Sequence, residues 1–298
     1  MPNGFINVLK APGMSSHDII GHLRKVYGIK KIGHAGTLDP AAAGVLPVAV
    51  GKATRFLEYM DNADKSYKAE VTFGYATDSG DDTGEVIERA DDFTMPDADQ
   101  VRQALEQFRG TIKQRPPLYS AVLINGERAY KLARKNKNGA DIEIDMPERE
   151  VTIHDIRFQE MTPNGFVFDC VCSKGTYIRS LCRDIGRALG IPSVMSFLVR
   201  SHVGAFRLED AFSTEEIGLL PHKVLLPMDY PIQHLDKCEL TEEQLQKAKN
   251  GLKVALGGEA RDFATQFIRL YDKNSGAFGG IGRYLPDTNE IAPHKMIL

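Results

Sequence analysis

The residues that decide the fold run Phe166-Val167-Phe168-Asp169-Cys170-Val171-Cys172, then Ser173-Lys174-Gly175-Thr176-Tyr177-Ile178-Arg179-Ser180-Leu181. The first seven place a bulky apolar residue at every second position, the period of a strand with one buried face. A glycine then breaks the pattern, and apolar residues recur at helical spacing. The reading is a strand that ends in a helix from Gly175 to Leu189, stopped by Gly190 and Pro192. Tyr177 and Arg179 would project near the helix N-terminus, a region suited to anions.

Upstream, a strand over Phe5–Leu9 leads through Pro12-Gly13 to Ser16, read as the cap of a helix from His17 to Tyr27 that Gly28 ends. Residues Gly33–Pro47, with three glycines and two prolines, read as a shaped loop. Strands are expected at Ser66–Gly74, Val151–Gln159 and Phe166–Cys172, and Asp97 should cap a helix through Phe108. Strands and helices do not alternate regularly, which favours α+β with a largely antiparallel sheet. Prolines 221, 227 and 231 precede a separate unit with a helix over Thr241–Asn250 and short strands at Val254–Leu256, Gln266–Tyr271 and Ala277–Tyr284. The expected division is 1–235 and 236–298, in keeping with 298 residues of 42% hydrophobic content.

A formal charge of −3 argues against bulk attraction to nucleic acid, but the charge is uneven. Arg109–Lys137 holds eight cations against Glu127 alone, a net +7, whereas Asp78–Glu106 holds ten acids against two arginines, a net −8. The basic stretch could follow a phosphate backbone, although by composition alone a solvated helix face is the commoner case. Bends at Pro116-Pro117 and Asn125-Gly126 would make a mobile basic lobe of about 109–138. The N-terminus has no basic region followed by an apolar run, and no stretch is apolar enough for a membrane span, so a cytoplasmic protein is expected. Four cysteines make no disulfide framework. Cys170 and Cys172 should share a strand face as small hydrophobes.

Three familiar motifs fail. Gly44–Lys52 has six residues between its glycines where a phosphate loop needs four, and Ala53 stands where its hydroxyl should be. Asp78–Gly84 has its glycine one place late for a calcium loop and is better read as an acidic turn. Gly279-Gly280-Ile281-Gly282 lacks dinucleotide-binding spacing. The unusual segment is Gly33-His34-Ala35-Gly36-Thr37-Leu38-Asp39-Pro40. Glycines around His34 permit close backbone approach, and Pro40 holds Asp39 extended. Asp39 is either a rigidly presented acid or the cap of a turn, and these residues alone leave both open. Arg179 could orient a carboxylate through two parallel hydrogen bonds, or be an ordinary surface ion pair.

Seven ordered blocks resemble the TruB family, the bacterial tRNA pseudouridine-55 synthases. They are Lys10–Ser16, Gly33–Pro40 continuing to Gly51–Arg55, Lys65-Ser66-Tyr67, Thr77–Asp81, Gln114–Ala121, Lys174–Leu181 and Leu198–Ser201, together spanning about Phe5–Phe206. The resemblance implies a pseudouridine synthase fold followed by a small β-rich PUA-like domain. It makes Asp39 the catalytic aspartate, Tyr67 the tyrosine packed on the uracil, and Arg179 the partner of Asp39. His34, Tyr177 and Leu198 match positions contacting the flipped nucleotide or the gap it leaves. Asp81 matches a further family acid, and Val199–His202 is less basic than the common pattern.

The implied chemistry suits these residue types. Breaking a nucleoside C–N bond develops positive charge at the anomeric carbon, which a fixed carboxylate stabilises or traps. The base must first leave its stack, with His34 as replacement stacker. No cofactor or metal is needed, the RNA partner is the T stem-loop of tRNA, and no obligatory protein partner is expected. Arg128, Lys131, Arg134 and Lys135 are the expected backbone contacts. A non-catalytic RNA-binding module, a guide-RNA-dependent dyskerin-type synthase and a glycosidase using Asp39 and Asp81 are the competing readings.

Overall fold

The computed structural model describes residues 2–137, 144–258 and 261–297. Position 138, the far end of the expected basic lobe, lies outside them. A mixed nine-stranded sheet dominates, with the path Gly4–Lys10, Ala43–Val50, Ser193–Val203, Lys65–Phe73, Gly165–Cys172, Arg149–Thr162 and Gly110–Gln114. Ile32–His34 adds to Ala43–Val50, and Phe206–Arg207 to Ser193–Val203. Every pairing is antiparallel except one. Ser193–Val203 meets Ala43–Val50 in parallel through Val199 with Ala43 and Arg200 with Gly44. The α+β fold expected from the sequence is thus the one observed.

That parallel junction requires its glycine. Gly44 has φ of +112°, and a Cβ there would lie 2.2 Å from the Arg200 carbonyl oxygen. No side chain fits at that spacing, so only glycine lets the two strands close.

One face of the central strands packs on the Ile178–Ala188 helix, whose Ile178, Leu181, Cys182 and Ile185 follow helical spacing into a core with Tyr67, Phe166, Phe168, Cys170 and Leu198. The four cysteines are free and buried, Cys170 and Cys172 on the same strand face. The helix Ser16–Tyr27 packs Ile19, Ile20 and Leu23 beneath Gly4–Lys10 and Ala43–Val50. The opposite side of those two strands meets Phe56, Phe206 and, from a second sheet, Ile281.

The second sheet has five strands in the order Lys237–Leu240, Phe267–Asp272, Phe278–Leu285, Glu290–Met296 and Val254–Ala255. The helix Glu242–Lys249 covers it, with Thr241 as its cap. It docks through Phe56 against Phe278, with ring centroids 5.5 Å apart, and through Lys295 on Glu58 at 2.6 Å.

Several expected boundaries need correction. Gly33–Pro47 is only partly a loop, because its ends are the strands Ile32–His34 and Ala43–Val50. Pro47 sits inside the latter and obscured its near-continuous apolar run, the pattern of a strand buried on both faces. Ser15, not Ser16, caps the first helix, and the Ser16 hydroxyl bonds the loop at Leu38 instead. The later helix starts at Ile178 rather than Gly175, because the Gln114 side chain occupies the backbone N–H and C=O of Tyr177. Gly110–Gln114 is an edge strand of the main sheet, so the sheet holds the first part of the expected mobile lobe.

Candidate active site

The segment Ala35–Ala42 leaves one strand, turns, and enters the next, carrying Asp39 at its centre. Its backbone is held at nearly every step. The Ser16 hydroxyl donates to the Leu38 carbonyl at 3.0 Å and accepts from the Leu38 N–H at 2.9 Å. Gly13 N–H donates to the Pro40 carbonyl at 2.8 Å, and Ala42 N–H to the Asp39 carbonyl at 3.1 Å. Two fully buried cations complete the grip. Arg200 donates to the carbonyls of Val45 at 2.8 Å, Gly36 at 3.1 Å and Thr37 at 3.4 Å. Lys10 donates to Met14 at 2.7 Å, Ala11 at 2.9 Å and Pro40 at 3.1 Å. Burial lowers the Lys10 amine to about 8, opposed by the Asp39 charge nearby.

These contacts settle the choice left open for Asp39. Its backbone carbonyl forms the turn, which frees the side chain to point at Arg179, with Oδ2 2.9 Å from Nε. Arg179 is only 6% exposed, so it is no surface ion pair. Nor does it grip Asp39 with two parallel bonds. Its other nitrogens donate to the carbonyls of Ser79 at 2.8 Å and Tyr119 at 2.9 Å, and Nη1 lies 3.9 Å from Asp81. The guanidinium thus ties together the loop of Asp39, the acidic turn and the Tyr119 segment.

Asp81 is buried and braces the turn. Its Oδ1 accepts from the Ser79 hydroxyl at 2.7 Å, the Thr83 hydroxyl at 2.6 Å and the Thr83 N–H at 3.2 Å. Asp39 and Asp81 thus share Arg179, at 2.9 and 3.9 Å respectively. Tyr67 is buried in the same core as Leu38 and Leu198, and burial raises its phenol, offset in part by Arg200. Its phenol also meets Arg200, the arginine that grips the loop backbone. His34 is half-buried with its Nδ1 unpartnered, and burial followed by Arg200 and His17 lowers its pKa. The ring is therefore neutral at pH 7, which suits packing on a base better than ion pairing.

The basic segment is built differently. Leu123–Ile124 and Glu127–Arg128 form a hairpin around Asn125 and Gly126, both at positive φ, and Ala129–Lys137 is a short helix. Lys131 and Arg134 are exposed, Arg134 lying over the Tyr130 ring. Arg128 contacts the Ala121 carbonyl, Lys135 pairs with Glu127 at 2.8 Å, and Lys137 with Glu85 at 2.6 Å. Arg109 pairs with Glu106 and Asp155, so its charge is spent within the fold. Arg179 thus joins Asp39 and Asp81, Leu38, Tyr67 and Leu198 share one core, and Tyr177 packs with Leu118 and Ile124 against the small core of the basic lobe.

Residues 24–178 match the model of the TruB family pseudouridylate synthase N-terminal domain. The chain belongs to the TruB family. Its relatives include the tRNA pseudouridine synthase B of Alkaliphilus oremlandii, 43% identical over 85% of this chain and 83% of that one. That of Caldanaerobacter subterraneus subsp. tengcongensis is 40% identical over 99% of both. Among solved structures, a chain of an H/ACA RNP bound to a substrate RNA containing 2′-deoxyuridine aligns with a TM-score of 0.72 at 23% identity, covering 99% of this chain and 85% of that one. That likeness speaks to the fold of this TruB chain. Lys10, Ser16, Gln114 and Arg200 were not singled out from the sequence as site residues, although the quoted family blocks contain all four.

Proposed function

We propose that this TruB-family chain is a tRNA pseudouridine synthase that converts uridine 55 of the T loop to pseudouridine. The observation that carries the reading is Asp39, held on a loop whose backbone Arg200 and Lys10 clamp and paired with buried Arg179. In this mechanism the target uridine leaves its stack, and His34 and Leu198 occupy space around it. The N1–C1′ bond breaks, and Asp39 stabilises or traps the cationic sugar carbon. The uracil turns between Tyr67 and Tyr177, C5 bonds to C1′, and the C5 proton departs while N1 ends protonated. No atom is gained or lost. Arg179 keeps Asp39 aimed.

The same reading assigns residues 1–235 to catalysis and 236–298 to a PUA-like RNA-binding domain, in a cytoplasmic enzyme acting on bare tRNA. Among the described residues no helix is long and apolar enough to cross a membrane. A guide-RNA-dependent enzyme would need partners, and the full-length alignment with proteins named tRNA pseudouridine synthase B favours the unassisted reaction. The test is carbodiimide mapping of an unmodified tRNA transcript incubated with the pure protein. A labelled position in the T loop is expected, and an unmodified T loop would overturn the proposal.

A further inference from the structure

Tyr67 and Lys65 alternate with Ser66 along one strand, so their side chains leave the same face. Lys65 reaches the catalytic loop at Gly36. A Cβ at Gly36 would lie 3.5 Å from Lys65 Cε and 3.6 Å from Arg200 Nη1, which brings both cations to a single glycine of the loop. Arg200 has its nitrogens committed to three carbonyls. Lys65 has three N–H donors, and among the described residues its one hydrogen bond runs to the Ala63 carbonyl at a long 3.3 Å.

Among the described residues no carboxylate lies within ion-pair distance of Lys65. Neighbouring Asp64 is engaged by His154 at 3.1 Å, and Asp39 by Arg179 at 2.9 Å. Around the loop, Lys10, Lys65, Arg179 and Arg200 stand against Asp39 and Asp81, with Asp18 acting on Lys10 and Asp61 and Asp64 acting on Lys65 from beyond ion-pair distance. Burial and then repulsion from Arg200 lower the Lys65 amine. A half-buried ammonium pressed by a second cation is costly unless an anion arrives. Uracil and ribose are neutral, so the anion an RNA substrate carries to this place is a phosphodiester.

We infer that Lys65 is the anchor for a backbone phosphate adjoining the flipped uridine, fixing the sugar over Asp39. The inference rests on the pseudouridine synthase reading and names a contact within it. Arg200 adds field without touching the phosphate.

The experiment uses the full chain and T stem-loop RNAs carrying one uncharged methylphosphonate linkage, placed either 5′ or 3′ of the target uridine. Single-turnover rates and affinities are read for the native protein, Lys65→Met and Lys65→Arg. One of the two linkages should slow or weaken the native protein about tenfold to a hundredfold, the range for a charge-assisted hydrogen bond. Lys65→Met should show a similar loss on all-phosphate RNA and no further loss with that linkage, and Lys65→Arg should recover most of it. Losses that multiply in Lys65→Met, or a native protein indifferent to both linkages, would overturn the assignment. If Lys65→Met fails on every RNA and Lys65→Arg does not rescue it, the lysine is structural and the assignment also falls. Absence of any pseudouridine on unmodified RNA would instead sink the underlying reading, and the inference with it.

Discussion

The loop around Asp39 and the basic segment Arg128–Lys137 both depend on cations, and they use them in opposite ways. Lys10 and Arg200 are buried and spend their donors on backbone carbonyls, so their role is to fix a conformation. Arg128, Lys131, Arg134 and Lys135 are exposed, and the pairs there involve surface groups worth little each. A buried cation without its partners costs several kcal/mol, whereas an exposed one exchanges a carboxylate for a phosphate at almost no cost. Chemistry that needs a carboxylate within tenths of an ångström calls for the first arrangement, and capture of a variable backbone calls for the second.

The largest effect that could break this contrast is at Asp39. Asp39→Asn keeps the shape and should still bind tRNA with near-normal affinity, while pseudouridine formation becomes undetectable. Retention of a tenth of the rate, only about 1.4 kcal/mol of barrier, would show that a rigid carboxylate is not the point of the clamped loop. Next is Arg179→Lys, where one ammonium cannot serve Asp39, Ser79 and Tyr119 at once. A rate loss of roughly a hundredfold with binding retained is expected by single-turnover kinetics. Equal loss of rate and affinity would place Arg179 in RNA capture.

The exposed side of the comparison is sharpened by neutralising Arg128, Lys131, Arg134 and Lys135 together. Affinity should fall, and the slope of log affinity against log salt should flatten by up to about four phosphate contacts. An unchanged slope would mean that these charges face solvent in the complex. The smallest effect concerns Lys10. Its amine sits at about 8 in the folded protein against 10.5 ordinarily. Between those values the unfolded chain keeps a proton that the folded chain has released, so this group makes stability rise with pH, by at most about 1.4 kcal/mol per unit. Chemical denaturation from pH 8 to 10.5 should show a shallower rise in Lys10→Met, and parallel curves would contradict a desolvated amine.

How much of this was legible differs by the range of the interaction. Asp39, Tyr67 and Arg179 sit in contiguous blocks whose order carried the family resemblance, and local rules found the Asp97 cap and, within a residue of its ends, the helix Glu242–Lys249. The clamp was not readable, because Arg200 meets Thr37 across 163 positions and Lys10 meets Pro40 across 30. Nothing in a local window distinguishes a lysine or arginine that will grip carbonyls from one in solvent. The central strand Ser193–Val203 was likewise unannounced. It follows a proline stop, and irregular register between Met195 and Phe197 and between Arg200 and His202 blurs its alternation. The two-pronged geometry expected of Arg179 failed because two carbonyls from distant segments compete for its nitrogens.

The glycine-tight parallel junction of Gly44 with Arg200 also bears on when the site comes into being. The Arg200 contact with Val45 closes a loop of 155 residues, an entropic cost on the order of 4 to 5 kcal/mol by chain-closure scaling before any bond offsets it. Contacts of such sequence separation form late in folding. On the ribosome, the strand bearing Asp39's neighbours emerges long before the arginine that locks it, so a nascent chain ending short of position 200 has the aspartate but not its fixed setting. The fixed setting of Asp39 is therefore a property of the assembled sheet and not of its own segment.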